Sequence, residues 1–272
     1  MRIAVTGANG SLGSRFVEHA RNIGHEVEPL ARTGAGFEVP KVAPDVVLHL
    51  AWGGSEGAAR NDAAVQWANV TLTLAAQDLA LFTGARFVGV GTVTELESPP
   101  LNFHEAPGEL PAGNYLYGFA KSVARVMSYA RATSAGGNWT WLRLANVYAP
   151  GAMEGRYVHT LASKIARGES WTIGSRGDST LVLLTLDDAL KALLAACQPL
   201  GSGRCWEAAS VVVTQRELVD GLEAACGREA HIDFGDRLSQ DNYAAHHNIL
   251  GADSAAASAI FKLIASDVAR SL

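Results

Sequence analysis

The sequence predicts an α/β protein: a doubly wound parallel sheet covered by helices on both faces, with a smaller C-terminal region. Three observations carry that prediction. As far as Pro150, short β-branched runs alternate with stretches of helical apolar spacing, the pattern of strand–helix–strand units in a parallel sheet. One run, PDVVLHLA from Pro44 to Ala51, is apolar almost throughout, as in a strand whose two faces are both covered. The first strand-like run opens directly into a glycine-spaced loop, TGANGSLG, before the first helix.

The elements follow in order. Arg2 to Val5 forms the first strand. From Ser11 the apolar positions Leu12, Phe16, Val17, Ala20 and Ile23 keep helical spacing, and Gly24 is a natural stop. HEVEPLA is the second strand and PDVVLHLA the next. Helical spacing returns across Val65 to Leu81, and RFVGVGT is a strand. A helix starts near NYLYGFAKS after a Pro-rich loop. WTWLRLANVY reads as one strand, followed by a loop beginning APG. Connections between the parallel strands are expected to be right-handed.

Beyond Pro150 the rhythm loosens. A helix is expected around Arg156 to Arg167, a strand over STLVLLTL, and a helix opened by Asp187 through DALKALLAA. Thr214-Gln215-Arg216-Glu217 is a capping box, in which hydroxyl and carboxylate satisfy first-turn backbone donors reciprocally. The Ala-rich tail from Ala252 is helical. Residues 1–150 and about 178–212 are assigned to a dinucleotide-binding domain, and 151–177 with 213–272 to a substrate-binding region.

Composition narrows the function classes. The 272 residues are 48% hydrophobic and 18% charged with a net charge of −5 and no basic block, so nucleic acid and anionic membranes are not expected partners. Cys197, Cys205 and Cys226 form no C-x-x-C pair and read as thiols in a reducing compartment. The histidines show no metal-ligand spacing, and no metal is expected. No apolar run approaches the roughly 18 residues of a membrane span. MRIAVTGANG turns to glycine too soon for a signal peptide. The expected location is cytoplasmic.

Gly7, Gly10 and Gly13 fall between the first strand and the first helix. A turn without Cβ atoms lets backbone N–H groups approach a pyrophosphate at the positive end of a helix, so this loop predicts dinucleotide binding. Farther on, Tyr117 and Lys121 stand four residues apart and project from the same face of a helix. Such a pair alone arises often by chance, and a surface tyrosine above a surface lysine is the plain alternative.

With the spacing T-G-x-x-G-x-x-G, the runs DVVLHLA, RFVGVGT, YGFAK and LRLANVYAPG give the sequence its resemblance to the extended short-chain dehydrogenase/reductase family, the sugar-nucleotide epimerases, dehydratases and reductases. The resemblance covers nearly the whole chain and implies a Rossmann fold. It also implies that Tyr117 exchanges a proton with the substrate oxygen while Lys121 holds the nicotinamide ribose and favours the phenolate. Thr92 is the matching hydroxyl after the preceding strand, with Thr94 in reserve and as a substrate contact. By the same resemblance the cofactor lies against Gly7, Asn9, Gly10, Ser11, Leu12, Gly13, Arg32, Leu50, Ala51, Lys121 and Val147.

Departures from the family pattern sharpen these expectations. Where NAD-using members carry an acidic residue after the second strand, this chain has Ala31 and then Arg32, which favours NADP over NAD, since an arginine can pair with a 2′-phosphate. A solvated surface arginine is the plain alternative. Only TGAGFEVPKVAPD separates the second strand from VVLHL, so the family's third strand and its adenine contact are cut short. The Asp-Glu pair of family dehydratases is replaced by Val93 and Thr94, with Glu95 one place too far, which argues against dehydration.

Asn146 matches a substrate-phosphate contact or else caps a turn. Leu181 stands where many relatives keep a pyrophosphate arginine, a role that Arg156 or Arg176 could take. Trp52 either walls the substrate pocket or packs. The expected activity is NADP-dependent reduction of a ketone, with a nucleotide-activated keto-deoxysugar as the substrate class; NAD-dependent epimerisation is the alternative. A homodimer through the face of Val123 to Ala130 is compatible with the sequence.

Overall fold

A computed structural model describes residues 1–34, 36–97, 115–153, 156–199, 203–237 and 254–272. In chain order its strands are β1 (Arg2–Thr6), β2 (Glu26–Leu30), β3 (Arg32–Thr33), β4 (Gly36–Phe37), β5 (Val46–His49), β6 (Arg86–Thr92), β7 (Trp139–Leu144), β8 (Asn146–Tyr148), β9 (Trp171–Ser175), β10 (Thr180–Thr185), β11 (Arg204–Ala208), β12 (Val211–Thr214) and β13 (Ile232–Arg237). The α-helices are α1 (Ser11–Asn22), α2 (Ala63–Thr83), α3 (Thr94–Glu97), α4 (Tyr115–Ala135), α5 (Tyr157–Arg167), α6 (Leu186–Cys197), α7 (Gln215–Cys226) and α8 (Ser254–Ser271), with a 3-10 helix at Gly57–Asn61. The Pro-rich loop before the Tyr-Lys helix lies outside the described residues.

The chain divides into two compact units, Met1–Leu144 with Leu190–Glu207, and Ala145–Ala189 with Ala208–Leu272. The first is built on a six-stranded sheet of order β11-β7-β6-β5-β1-β2. Its pairs β1–β2, β1–β5, β5–β6 and β6–β7 are all parallel, as the alternating sequence predicts. The chain lays β2 on one side of β1 and returns to the other side for β5. That reversal leaves a crevice at the carboxyl ends of β1 and β5, where doubly wound sheets take their ligands.

Burial follows the sequence pattern. All four residues of β5 are buried, which explains the unbroken apolar run there. Helices α2 and α4 supply Val70, Ala76, Ala80, Ala120 and Ala124 to a core shared with Phe87, Trp139 and Trp141. Phe16, Val17 and Ala20 of α1 are buried as the helical spacing requires. Fully burying one such large apolar side chain stabilises the fold by about 1.5–3 kcal/mol.

One element differs from the sequence expectation, and the segment after β2 is cut short as expected. WTWLRLANVY is not one strand: β7 pairs with β6 as far as Thr92 opposite Leu144, where β6 ends. The Ala145 N–H then bonds to the Ala208 carbonyl, and β8 joins β10 in another sheet. Among its described residues, the short segment after β2 holds only the antiparallel pair β3–β4, with Arg32 opposite Phe37, and β2 remains the last strand of the six.

The second unit contains the three-stranded sheet β12-β10-β8 and the parallel pair β13–β9. Leu161, Ile165, Leu183, Leu218, Ile260 and Ile264 belong to its core. The capping box at the start of α7 forms as expected, with Thr214 and Glu217 satisfying each other's backbone N–H. Asp267 on α8 accepts from the Tyr148 hydroxyl at 2.9 Å and from the Gly151 N–H at 3.0 Å. The unit boundaries fall at 144/145, 189/190 and 207/208, whereas the sequence pattern suggested 150, about 178 and 212. The pairing of β10 with both β8 and β12 draws these strands into one body. Among the described residues no helix is long and apolar enough to cross a membrane.

Candidate active site

The loop from β1 to α1 is shaped by what its glycines lack. Gly7 has φ +71°, and a Cβ there would lie 2.6 Å from the Ala51 nitrogen. A Cβ on Gly13 would lie 2.1 Å from the Gly7 carbonyl oxygen, so the first turn of α1 packs directly on the loop backbone. Gly10 is the N-cap of α1, with no side-chain cap and no acidic residue in the first turn. The orphan N–H groups of Ser11, Leu12 and Gly13 at the helix start therefore meet no side-chain competitor among the described residues.

A cavity of about 630 Å³ opens on this loop, lined by Gly7, Ala8, Asn9, Gly10, Ala51 and Trp52 at one end. Ala31, Arg32 and Phe37 line its other end, with Pro29 and Leu30, while Val65, Ala68, Asn69 and Leu72 come from α2. A Cβ-free cradle, a helix N-terminus and a crevice at the sheet switch point fit a dinucleotide. Arg32 is exposed, and its Nε donates to the Gly34 carbonyl at 3.4 Å.

Beneath the cavity the buried base His49 is fully used. Its Nδ1 pairs with Thr6 Oγ1 at 2.8 Å and its Nε2 with Thr73 Oγ1 at 3.1 Å. The Thr73 hydroxyl donates to the Asn69 carbonyl, so it accepts from Nε2–H, and Nδ1 accepts from Thr6. Burial, with the Lys121 charge adding to it, holds the imidazole pKa down to about 3. Its role is to tie β1, β5 and α2 together.

The Tyr-Lys pair projects from α4 as the spacing predicts. Lys121 is 6% exposed, and its Nζ donates to the Val90 carbonyl of β6 at 2.7 Å. The ammonium lies 3.8 Å from the Trp52 ring centroid and 6.0 Å from that of Tyr117. Burial lowers its pKa to about 7 against an opposing pull from the Glu95 carboxylate. Tyr117 is half-buried, edge-on to Trp52 at 6.1 Å. The Arg60 guanidinium carbon lies 4.1 Å over the Tyr117 ring centroid. Cations beside a phenol favour its ionised form.

Thr92 closes β6, half-buried, and its hydroxyl donates to Thr94 Oγ1 at 3.2 Å. Thr94 is buried at the start of α3. Glu95 is buried and fully engaged. Its carboxylate accepts from Thr92 N at 3.0 Å, Trp141 Nε1 at 3.0 Å, Arg125 Nε at 3.1 Å and Arg143 Nε at 3.3 Å. Arg143 in turn reaches Glu207 at 2.8 Å.

The first unit thus brings together Gly7, Asn9, Gly10, Ala51, Arg32 and Trp52 around one cavity, and Trp52 with Tyr117 and Lys121 beside it. Leu50 is half-buried and donates its N–H to the Thr6 carbonyl. Asn146 and Val147 lie on β8 in the second unit, where the Asn146 amide donates to the Val182 carbonyl at 3.1 Å. Sequence reasoning missed Arg60, Phe37 and two amides of α2. Asn69 clamps Gly53 through both its N–H and its carbonyl, at 2.9 and 2.8 Å. Gln66 accepts from Trp52 Nε1 and donates to the Gly54 and Ala59 carbonyls. The available signal was the polar stripe Gln66, Asn69 and Thr73, at helical spacing within an apolar helix.

Comparison with known proteins fixes the family and the fold. The profile of the NAD dependent epimerase/dehydratase family matches residues 3–209. The chain belongs to that family. No curated protein matches it in sequence. Among solved structures it is similar to UDP-N-acetylglucosamine 4-epimerase from Bacillus cereus, with a TM-score of 0.74 at 20% identity over 100% of this chain and 97% of the other. It is also similar to RMD from Pseudomonas aeruginosa complexed with NADPH, at 0.72 and 18% over 100% and 99% of the two chains. UDP-glucose 4-epimerase from Thermotoga maritima, with UDP-glucose, gives 0.73 at 21% over 100% and 99%. At these identities the likeness establishes the shared α/β fold of this epimerase/dehydratase-family member.

Proposed function

We propose that this family member is an NADP-dependent reductase of a ketone, with the keto group of a nucleotide-activated deoxysugar as its substrate class. The observation that carries the cofactor choice is the pair Ala31–Arg32 on the rim of the glycine-loop cavity. A carboxylate there would repel a 2′-phosphate, whereas Arg32 can bond to it with charge assistance. Gly7, Asn9, Gly10, Ser11, Leu12 and Gly13 would hold the pyrophosphate, and Leu50, Ala51, Lys121 and Val147 the nicotinamide end. The bound nucleotide supplies the hydride.

The chain's own residues manage the proton. Tyr117 donates it to the carbonyl oxygen as that oxygen gains charge, and Thr92, with Thr94 behind it, hydrogen-bonds the same oxygen. Lys121 holds the nicotinamide ribose beside Tyr117. Trp52 walls the pocket, and Asn146 is assigned to the substrate phosphate. Dehydration finds little support, since four donors already engage the Glu95 carboxylate.

Epimerisation with NAD is the second reading, favoured by the UDP-sugar 4-epimerases among the structural neighbours. A homodimer through α4 draws support from the exposed Val126, Met127 and Tyr129. The deciding test incubates the protein with NADPH and a panel of nucleotide-linked keto-deoxysugars. Consumption of NADPH with formation of an alcohol is expected. Interconversion of UDP-sugars without net consumption of nicotinamide nucleotide would move the epimerase reading to first place.

A further inference from the structure

We infer that Arg60 sets the proton affinity of Tyr117, acting through the tyrosine ring as a positioning residue. The proposal rests on the reading of Tyr117 as proton donor.

The geometry is built to keep this cation in place. The guanidinium lies 4.1 Å over the ring, and its Nη1 donates to the Ser55 carbonyl at 2.7 Å. Gln66 fixes the loop on either side of that bond through the Gly54 and Ala59 carbonyls, both at 2.9 Å. Trp52 walls the ring edge. Ionisation of the phenol spreads negative charge into the ring, so a cation on its face favours phenolate over phenol.

Lys121, a second cation near the ring, is worse placed for this task. Its Nζ is 6.0 Å from the ring centroid and committed to the Val90 carbonyl and the Trp52 face. It also gives up its proton near neutral pH, whereas a guanidinium stays charged. Among the described residues, the other charged groups around the pair do not replace Arg60. Beside the 3-10 helix, Glu56 is exposed, and Asp62 accepts from the Ala64 and Val65 N–H groups. Glu95 is bound to Arg125 and Arg143, and His49 on β5 is neutral.

The test is an ultraviolet titration of phenolate in the nucleotide-free protein, with the Tyr117 signal isolated by subtracting a Tyr117→Phe background. Arg60→Met is expected to raise the Tyr117 midpoint by about one pH unit, and Arg60→Lys to recover at least half of that shift. A midpoint unchanged in a folded Arg60→Met protein overturns the proposal. Should that variant fail to fold, Arg60→Gln keeps a donor for the Ser55 carbonyl and decides by the same criterion. No substrate enters this titration, so its outcome is separate from that of the reductase reading, which turnover by Tyr117→Phe would sink.

Discussion

The glycine loop and the Tyr117 cluster occupy the same unit and are made by opposite means. The loop depends on atoms that are missing: any Cβ at Gly13 collides with the Gly7 carbonyl, and the turn presents backbone alone. The cluster depends on atoms that must be present and held, with Tyr117 and Lys121 from α4, Trp52 and Arg60 from the segment between β5 and α2, and the Val90 carbonyl from β6. A contiguous backbone cradle suits a constant pyrophosphate. A cluster gathered from three places can tune a proton without disturbing the cradle. Binding and chemistry should therefore fail separately.

The widest separation is expected at Tyr117. Tyr117→Phe should lower turnover by about 10³-fold while leaving NADPH affinity within about twofold, read from steady-state kinetics beside a fluorescence titration. Equal losses in both would erase the distinction between the regions. Next in size is Glu95→Gln, which leaves Arg125 and Arg143 facing an uncharged partner and should cost about 3 kcal/mol in chemical unfolding. An unaltered denaturation midpoint would mean that this buried network does not support the cluster.

Gly13→Ala should do the reverse of Tyr117→Phe. A methyl that meets backbone at 2.1 Å has to displace the turn, and NADPH affinity should fall about 100-fold. Binding at parental strength would contradict the backbone cradle.

A smaller effect concerns pH. Lys121 is held at about 7 instead of 10.5 and His49 at about 3 instead of 6.5, so the folded state binds fewer protons than the unfolded one in both windows. Stability then rises with pH, from about 3 to 6.5 through His49 and from about 7 to 10.5 through Lys121. Lys121→Met should remove the upper rise, a change on the order of 2 kcal/mol between neutral and alkaline urea midpoints. The smallest effect belongs to the rim: Arg32→Asp should weaken NADPH about tenfold and spare NADH.

The same contrast governs what the sequence could reveal. Gly7, Gly10 and Gly13 were legible because the constraint is local and written in consecutive residues. Tyr117 and Lys121 were legible because helical spacing alone puts them on one face. Arg60 was not, because its contact with Tyr117 depends on a loop that Gln66 and Asn69 fold back, and those amides look like ordinary polar interruptions of α2. The break at Ala145 was hidden for a related reason: LRLANVY is strand-like throughout, and only the end of β6 and the presence of β10 decide that it serves two sheets. The shortened segment after β2 was visible as missing length, but the pairing of Arg32 with Phe37 inside it was not.

The most direct measurement of the central claim is to release any nucleotide the purified protein retains, identify it, and titrate the emptied protein with NADPH and NADH. Weak retention and a clear preference for NADPH are predicted, from Arg32 beside a cradle that lacks an acidic residue. Tightly retained NAD, or binding of neither nucleotide, would contradict it.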